Sequence, residues 1–441
     1  MEGGIVSDEL NIDFNWLGRQ TGDSVGRAFY ANLGLAVGGQ WLTRLEDLEA
    51  QTVRTHLRGC AYHLATWFAA NWWRLRWEPE TRDWSTDADW RIAHSTASAG
   101  GGYVWPNVLF ASDGDSLAVA SLPRAKGAAF EPIRYLDRVK TRITASEFEK
   151  KVDAFMEGVL SRLDSLSIKG ATLPGLWEEV KAERSDAATY ERRKFEAMAG
   201  YDPDEAPDDF LLQMIEDKAK LGKSALEEVA AGARHSTGTA LQRILELDKS
   251  KTGGSRGKMP SLHHMPPAGG DERPWQSAAK LAQFARQQWD FGNKPIKNKA
   301  LANLLDIKTT VFTDKSAVGT PMPFALRTKK HDTFHLYFGL LNPTTRRFAA
   351  SRLIGDQLWF DKQERLFPAT HAKTFRQKFQ RAFAQEFLCP IDELLKMLPD
   401  QSPDEDDISK AANHFHVSPL MIRTTLVNHH ELGREALTWD D

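Results

Sequence analysis

The chain has 441 residues, 41% of them apolar, with 14 Trp and 23 Phe. That content fills two or three cores and excludes a disordered chain. Two cysteines, Cys60 and Cys389, exclude a disulfide framework and fit a reducing cytosol. No apolar run reaches membrane-spanning length, and MEGGIVSDELNIDF lacks basic and apolar signal regions, so neither a span nor a secretory leader is expected and a cytoplasmic location is.

The net charge of −3 hides a strong asymmetry. Residues 1–248 carry 29 Lys and Arg against 39 Asp and Glu, net −10; residues 249–381 carry 24 against 9, net +15; residues 382–441 carry 4 against 12, net −8. A block of that sign fits an acidic partner, either nucleic acid or an acidic protein surface, including the chain's own N-terminal half.

Residues 1–145 hold nine of the 14 tryptophans and read as a Trp-rich α+β domain. Val53, Leu57, Cys60, Leu64 and Phe68 predict an amphipathic helix from Thr52 to Ala70. WRLRWEPE alternates, with Trp73, Leu75 and Trp77 on one side, and predicts a short strand. Asp113-Gly114 between two apolar runs predicts a hairpin. In IAHSTASAGGGYVWP, His94, Ser95, Ser98 and Gly100–Gly102 read as a tight turn feeding a strand; a nucleophile site or a phosphate-cradling loop is the alternative. No G-x-S-x-G elbow and no G-x-x-x-x-G-K-[ST] pattern accompanies it.

Residues 146–247 read as a helical region, with Phe148, Val152, Phe155, Val159 and Leu163 at helical spacing. Residues 248–274 are rich in Gly, Pro, Ser and Lys and read as a linker. Residues 275–433 read as a C-terminal domain that opens with two helices. Phe334, Leu336, Phe338 and Leu340 alternate like a strand. His331 and His335 imitate a metal-binding pair, but on a strand they lie roughly 13 Å apart.

From Arg346 to Pro390 two helices follow. Phe348, Leu353, Ile354 and Leu358 give the period of the first, and Phe375, Phe379, Phe383, Phe387 and Leu388 that of the second. A loop through Asp361 to Pro368 joins them. This pair resembles the core of the ImmA/IrrE-type zinc metallopeptidases, a zincin family, whose helices read roughly R-F-T-L-A-H-E-x-G-H and E-x-x-A-N-x-F-A-x-x-L-L-x-P. Phe348 and Gly355 keep the frame of the first; Phe383, Ala384, Leu388 and Pro390 keep that of the second. Phe415, Val417 and Ser418 match the family's later F-x-V-S turn, in which Ser418 would cap the last helix. The resemblance covers roughly 160 residues of the 441.

The departures fall on the chemistry. Arg352 stands at the first histidine position, Leu353 at the general-base glutamate, Asp356 at the second histidine, and Gln377 near the third ligand. Zinc in such a site takes two imidazoles one helical turn apart, a third ligand and a water. Arg352 repels a divalent ion, and Leu353 cannot accept a proton from a bound water. The resemblance therefore implies a zincin-like fold with a degenerate motif: no catalytic residue, metal or cofactor, and an Arg352–Asp356 helix-face ion pair in their place. Family members cleave repressors or antitoxins in stress, mobile-element or phage-defence regulation. A chain that keeps the fold without the ligands implies a regulatory or scaffold protein holding a protein partner in a bacterial cytosol. Nucleic acid is the alternative partner, through Lys294, Lys297, Lys299, Arg327, Lys329 and Lys330 of the basic block. A surviving peptidase is the third reading.

Overall fold

The computed structural model describes residues 9–18, 23–81, 84–123, 132–265, 274–314, 318–328, 333–339, 341–360, 363–399 and 403–437. The chain forms two compact units, Met1–Leu211 with Ala372–Thr374, and Leu212–His371 with Phe375–Asp441. Both mix helices with sheets whose strands all pair antiparallel, so the fold is α+β.

The first unit runs β1 (Leu10–Trp16), α1 (Ser24–Ala28), β2 (Tyr30–Val37), β3 (Gln40–Trp41), β4 (Leu45–Asp47), β5 (Thr52–Arg54), β6 (Leu57–Cys60), α2 (Ala61–Ala70), α3 (Trp72–Trp77) and α4 (Ala88–His94). It continues through β7 (Val108–Ser112), β8 (Ser116–Ser121), β9 (Ile133–Tyr135), β10 (Val139–Thr144), α5 (Ala145–Ser165), α6 (Leu173–Ser185) and α7 (Ala187–Met198). The central strand β2 pairs β1, β3 and β6; β8 lies between β7 and β10, and β4 between β5 and β9. Helix α5 begins where the Thr144 side chain accepts from Glu147 N, and its stripe of Phe148, Val152, Phe155, Val159 and Leu163 is buried as the spacing predicts. The β7–β8 hairpin turns at Gly114, whose φ of +97° suits glycine.

Two expectations in this unit fail. The stretch from Thr52 is two short strands before α2 starts at Ala61. Gly59 pairs with Ala31, and a Cβ on it would lie 3.3 Å from Trp105, so strand pairing under a large ring wins over helical period. WRLRW is helix α3, not a strand. Arg74 is buried beside Leu75 and pairs with Glu78 one turn on, while Arg76 stacks over Trp77 at 3.8 Å.

The second unit holds most of α8 (Asp208–Leu221), then α9 (Lys223–Ala233), α10 (Thr237–Ser250), β11 (Ser255–Lys258), α11 (Pro274–Gln288), α12 (Asn298–Leu304), β12 (Phe324–Arg327), β13 (Thr333–Tyr337) and α13 (Pro343–Trp359). Then come β14 (Leu366–Pro368), α14 (Phe375–Leu388), α15 (Ile391–Met397), α16 (Glu405–Phe415) and α17 (Pro419–Asn428). The sheet order is β11-β13-β12-β14. Helices α13 and α14 pack face to face over a core of Leu353, Ile354, Phe379, Phe383 and Phe387.

The expected linker is revised here. Within 248–274, Ser250 ends α10 and Ser255–Lys258 form β11, registered residue for residue against Thr333–Leu336; residues 266–273 lie outside the described residues. Arg256, Gly257 and Lys258 lack an apolar period because β11 is a short edge strand, but its glycine sits against Leu305 and Ile307. The boundary between the units falls inside α8 instead. The joining loop also contains a strand, β14, on the sheet edge beside β12. Ser418 caps α17 as expected, accepting from Met421 N at 3.1 Å.

Candidate functional site

Helix α13 starts at Pro343 because the Asn342 side chain accepts from Thr345 N at 2.8 Å and proline suits the first helical position. That register places Arg352 and Asp356 one turn apart toward α14, with Leu353 fully buried in the apolar core. Gly355 makes the close approach possible: a Cβ there would lie 2.6 Å from the Phe383 ring.

At the four motif positions the structure brings together Arg352 and Gln377. The Arg352 guanidinium donates to the Thr370 carbonyl at 2.6 Å and to Gln377 Oε1. Gln377 Oε1 also accepts from Thr370 N at 2.8 Å, and its Nε2 donates to the Pro368 carbonyl at 3.1 Å. The segment after β14 is thereby pinned to both helices.

Asp356 does not serve Arg352. Its carboxylate receives two bonds from Arg376, at 2.7 and 2.8 Å. Arg376 also reaches Glu364 Oε2 at 2.7 Å and Ser224 Oγ at 2.9 Å. The expected Arg352–Asp356 pair is thus replaced by an Asp356–Arg376–Glu364 triad, because a planar guanidinium from the facing helix can bridge two carboxylates at once. Sequence reading passed over Arg376 and Glu364. The available signal was Arg376 beside Gln377 on a helix whose inner face otherwise carries Phe379, Phe383 and Phe387.

The electrostatics follow from burial. Arg352 is 6% exposed. Burial, with the Arg381 charge beside it, pushes its guanidinium down to about 9, still charged at neutral pH. Burial also works against Arg376, but the Asp356 and Glu364 charges outweigh it and hold that guanidinium above its ordinary value. Burial raises the Glu364 carboxyl, and Arg376 offsets part of the rise. Two buried guanidiniums, Arg352 and Arg376, lie among these side chains, whereas a divalent cation needs neutral or anionic donors, so the residues present do not fit a zinc ion. Among the described residues no group of three or more His, Cys, Asp or Glu is placed to hold a metal.

The other predicted residues are scattered. Lys294, Lys297 and Lys299 are exposed around the start of α12. Arg327 is half-buried, stacked over Phe334 and Phe367 at 5.4 and 5.2 Å, away from those lysines in role. Lys329, Lys330 and His331 lie outside the described residues. His335 sits in β13 opposite Arg256.

In the first unit His94 is no catalytic base for Ser95 or Ser98. Its ring stacks on Trp90 at 4.2 Å, Nδ1 donates to the Phe110 carbonyl at 2.7 Å, and Nε2 lies 3.0 Å from Glu78 Oε2. Ser95 Oγ donates to Asn107 Oδ1 at 2.9 Å. Gly100, Gly101 and Gly102 all have left-handed φ, and a Cβ on Gly101 would lie 2.3 Å from His63: the segment is a tight turn over a ring.

The fold and site thus define a two-unit α+β protein with buried Arg–carboxylate chemistry between two helices of its second unit. Compared with known proteins, it matches no family model, no curated protein and no solved structure. No helix among the described residues is long and apolar enough to cross a membrane.

Proposed function

We propose that this is a non-catalytic regulatory or scaffold protein of a bacterial cytosol. Its second unit carries a zincin-like helix pair related to the ImmA/IrrE metallopeptidases, and it works by holding a protein partner in stress, mobile-element or phage-defence regulation. The observation that supports this reading is the Asp356–Arg376–Glu364 triad with Arg352 beside it. Every motif position that would carry metal chemistry is engaged in holding the two helices together, and Leu353 has no proton-accepting atom. A helix pair locked in this way keeps a rigid surface for a partner while hydrolysis is lost.

The test is elemental analysis of protein purified without chelator, followed by affinity capture from the native host. The expected result is far less than one zinc per chain and a stoichiometric protein partner that survives nuclease treatment. About one tightly held zinc per chain, lost in Asp356→Ala, overturns the reading in favour of a rebuilt metallopeptidase site.

A further inference from the structure

We propose that the surface formed by Lys294, Lys297 and Lys299 around the start of α12, together with His414 and His416 at the α16–α17 turn, binds the phosphate backbone of nucleic acid. This does not depend on the reading of the helix pair.

One buried side chain builds the surface. Arg347, 1% exposed, donates to the carbonyls of Ile296 and His416, to the latter at 3.0 Å, and to Asn298 Oδ1 at 2.6 Å. It has no carboxylate partner among the described residues, and burial pushes its guanidinium down to about 10. The arginine thus ties the 296–298 segment to the His416 turn, so Lys297 and His416 stand on one rigid face. Burial lowers His416, and the charged groups that act on it are all basic: Arg347 from α13, Lys297 at the cap of α12, and His414 from α16. No acidic group is among them.

The lysines are exposed, and among the described residues none of the three has a side-chain partner. Residues 291–305 contain no Asp or Glu. Glu393 at the margin is already engaged by Lys396 and Asn293. Exposed lysines with no side-chain partner among the described residues, beside exposed His414 and His416, suit a polyanion.

The surface contacts backbone and does not read bases. The α16–α17 pair has a helix-turn-helix outline, with His416 left-handed in the turn and Ser418 capping the second helix. However, Met421, Ile422, Arg423, Thr425 and Leu426 of α17 are buried, and Arg423 is paired with Glu405. The exposed residues of α17, Pro419, Leu420 and Asn428, carry no charge. Binding is therefore expected to be independent of sequence.

The experiment is fluorescence anisotropy of the full chain with labelled DNA duplex, single-stranded DNA and RNA. Neutralising three phosphates predicts about a 40-fold loss of duplex affinity between 50 and 200 mM salt. The triple charge reversal Lys294→Glu, Lys297→Glu, Lys299→Glu should abolish binding and leave thermal unfolding unchanged. Lys297→Gln alone gives a milder, roughly tenfold loss and serves if the triple variant misfolds. His416→Asn keeps the left-handed turn and should remove part of the tightening expected as pH falls from 7.5 to 5.5, since protonation adds positive charge. The proposal is overturned by absent binding at 50 mM salt, by an equal loss in the control reversal Lys150→Glu, Lys169→Glu, Lys181→Glu, or by polyglutamate binding as tightly as the oligonucleotides. The last result would assign the surface to an acidic protein.

Discussion

Arg376 and Asp356 meet in a two-point ion pair, Nε to Oδ1 at 2.7 Å and Nη2 to Oδ2 at 2.8 Å, with the arginine 3% and the aspartate 0% exposed. This pair replaces the expected bond between Asp356 and its own-helix neighbour Arg352. It is an interhelical tie, so its energetics belong to the packing of α13 on α14.

Removing one partner is expected to be severe. Arg376→Met leaves Asp356 and Glu364 buried without their bonded counter-charge and should cost about 3–5 kcal/mol in urea unfolding. Adding Asp356→Leu and Glu364→Gln should recover much of that loss, because both buried charges are removed while the new amide oxygen can still accept from Ala225 N. Equal instability of the single and triple variants would show that the triad is not the origin of the cost.

Gly355→Ala tests the helix approach. Alanine is the better helix former by about 1 kcal/mol, yet its Cβ would meet Phe383 at 2.6 Å, with the Phe383 Cβ itself only 2.9 Å away. A clash with an atom so near the backbone is not relieved by rotation, so the net effect should be a loss of about 1–3 kcal/mol. A stabilised variant in the same unfolding assay would mean that the helices can separate freely.

Acid sensitivity in the first unit should run through Glu78. Burial alone would raise this carboxyl, but the bond and charge of His94 and those of Arg74 hold it below the ordinary glutamate range. The stabilisation it brings is present above about pH 4.3 and is lost as pH falls through the depressed folded value. Glu78→Gln should therefore be less stable at neutral pH and show a flatter acid limb in stability measured from pH 6 to pH 3. Parallel acid limbs for both proteins would remove Glu78 from the explanation.

Hydrogen exchange separates a linker from a strand. A peptide covering Ser255–Lys258 should exchange slowly, because β11 pairs with β13 and Lys258 N also donates to the Leu305 carbonyl at 2.7 Å. Complete exchange within seconds would restore the linker reading.

What the sequence made legible were helices with a strong local signal. The stripe of α5 and the Ser418 cap were found where expected, as was the β7–β8 turn at Gly114, since each depends on residues only a few positions apart. Features set by distant partners were not legible. Gly59 is a strand residue because of Ala31 and Trp105, and β11 exists because of β13. At the site, the expected pairing of Arg352 with Asp356 is not the one that forms. Nothing in the spacing of Arg352 and Asp356 reveals that an arginine twenty residues further on, |i−j| = 20, will take the carboxylate.

Glu364 has a second bond whose meaning is temporal. Helix α9 has no side-chain cap of its own, since Gly222 stands at that place, and its Ala225 N–H is instead received by Glu364 Oε1 at 3.1 Å, 139 residues later in the chain. During synthesis the start of α9 leaves the ribosome without the group that completes it. At about 5–20 residues per second the wait is on the order of ten seconds. Until then the Ala225 N–H lacks that acceptor, and Arg376, twelve residues further on, joins Glu364 only after it.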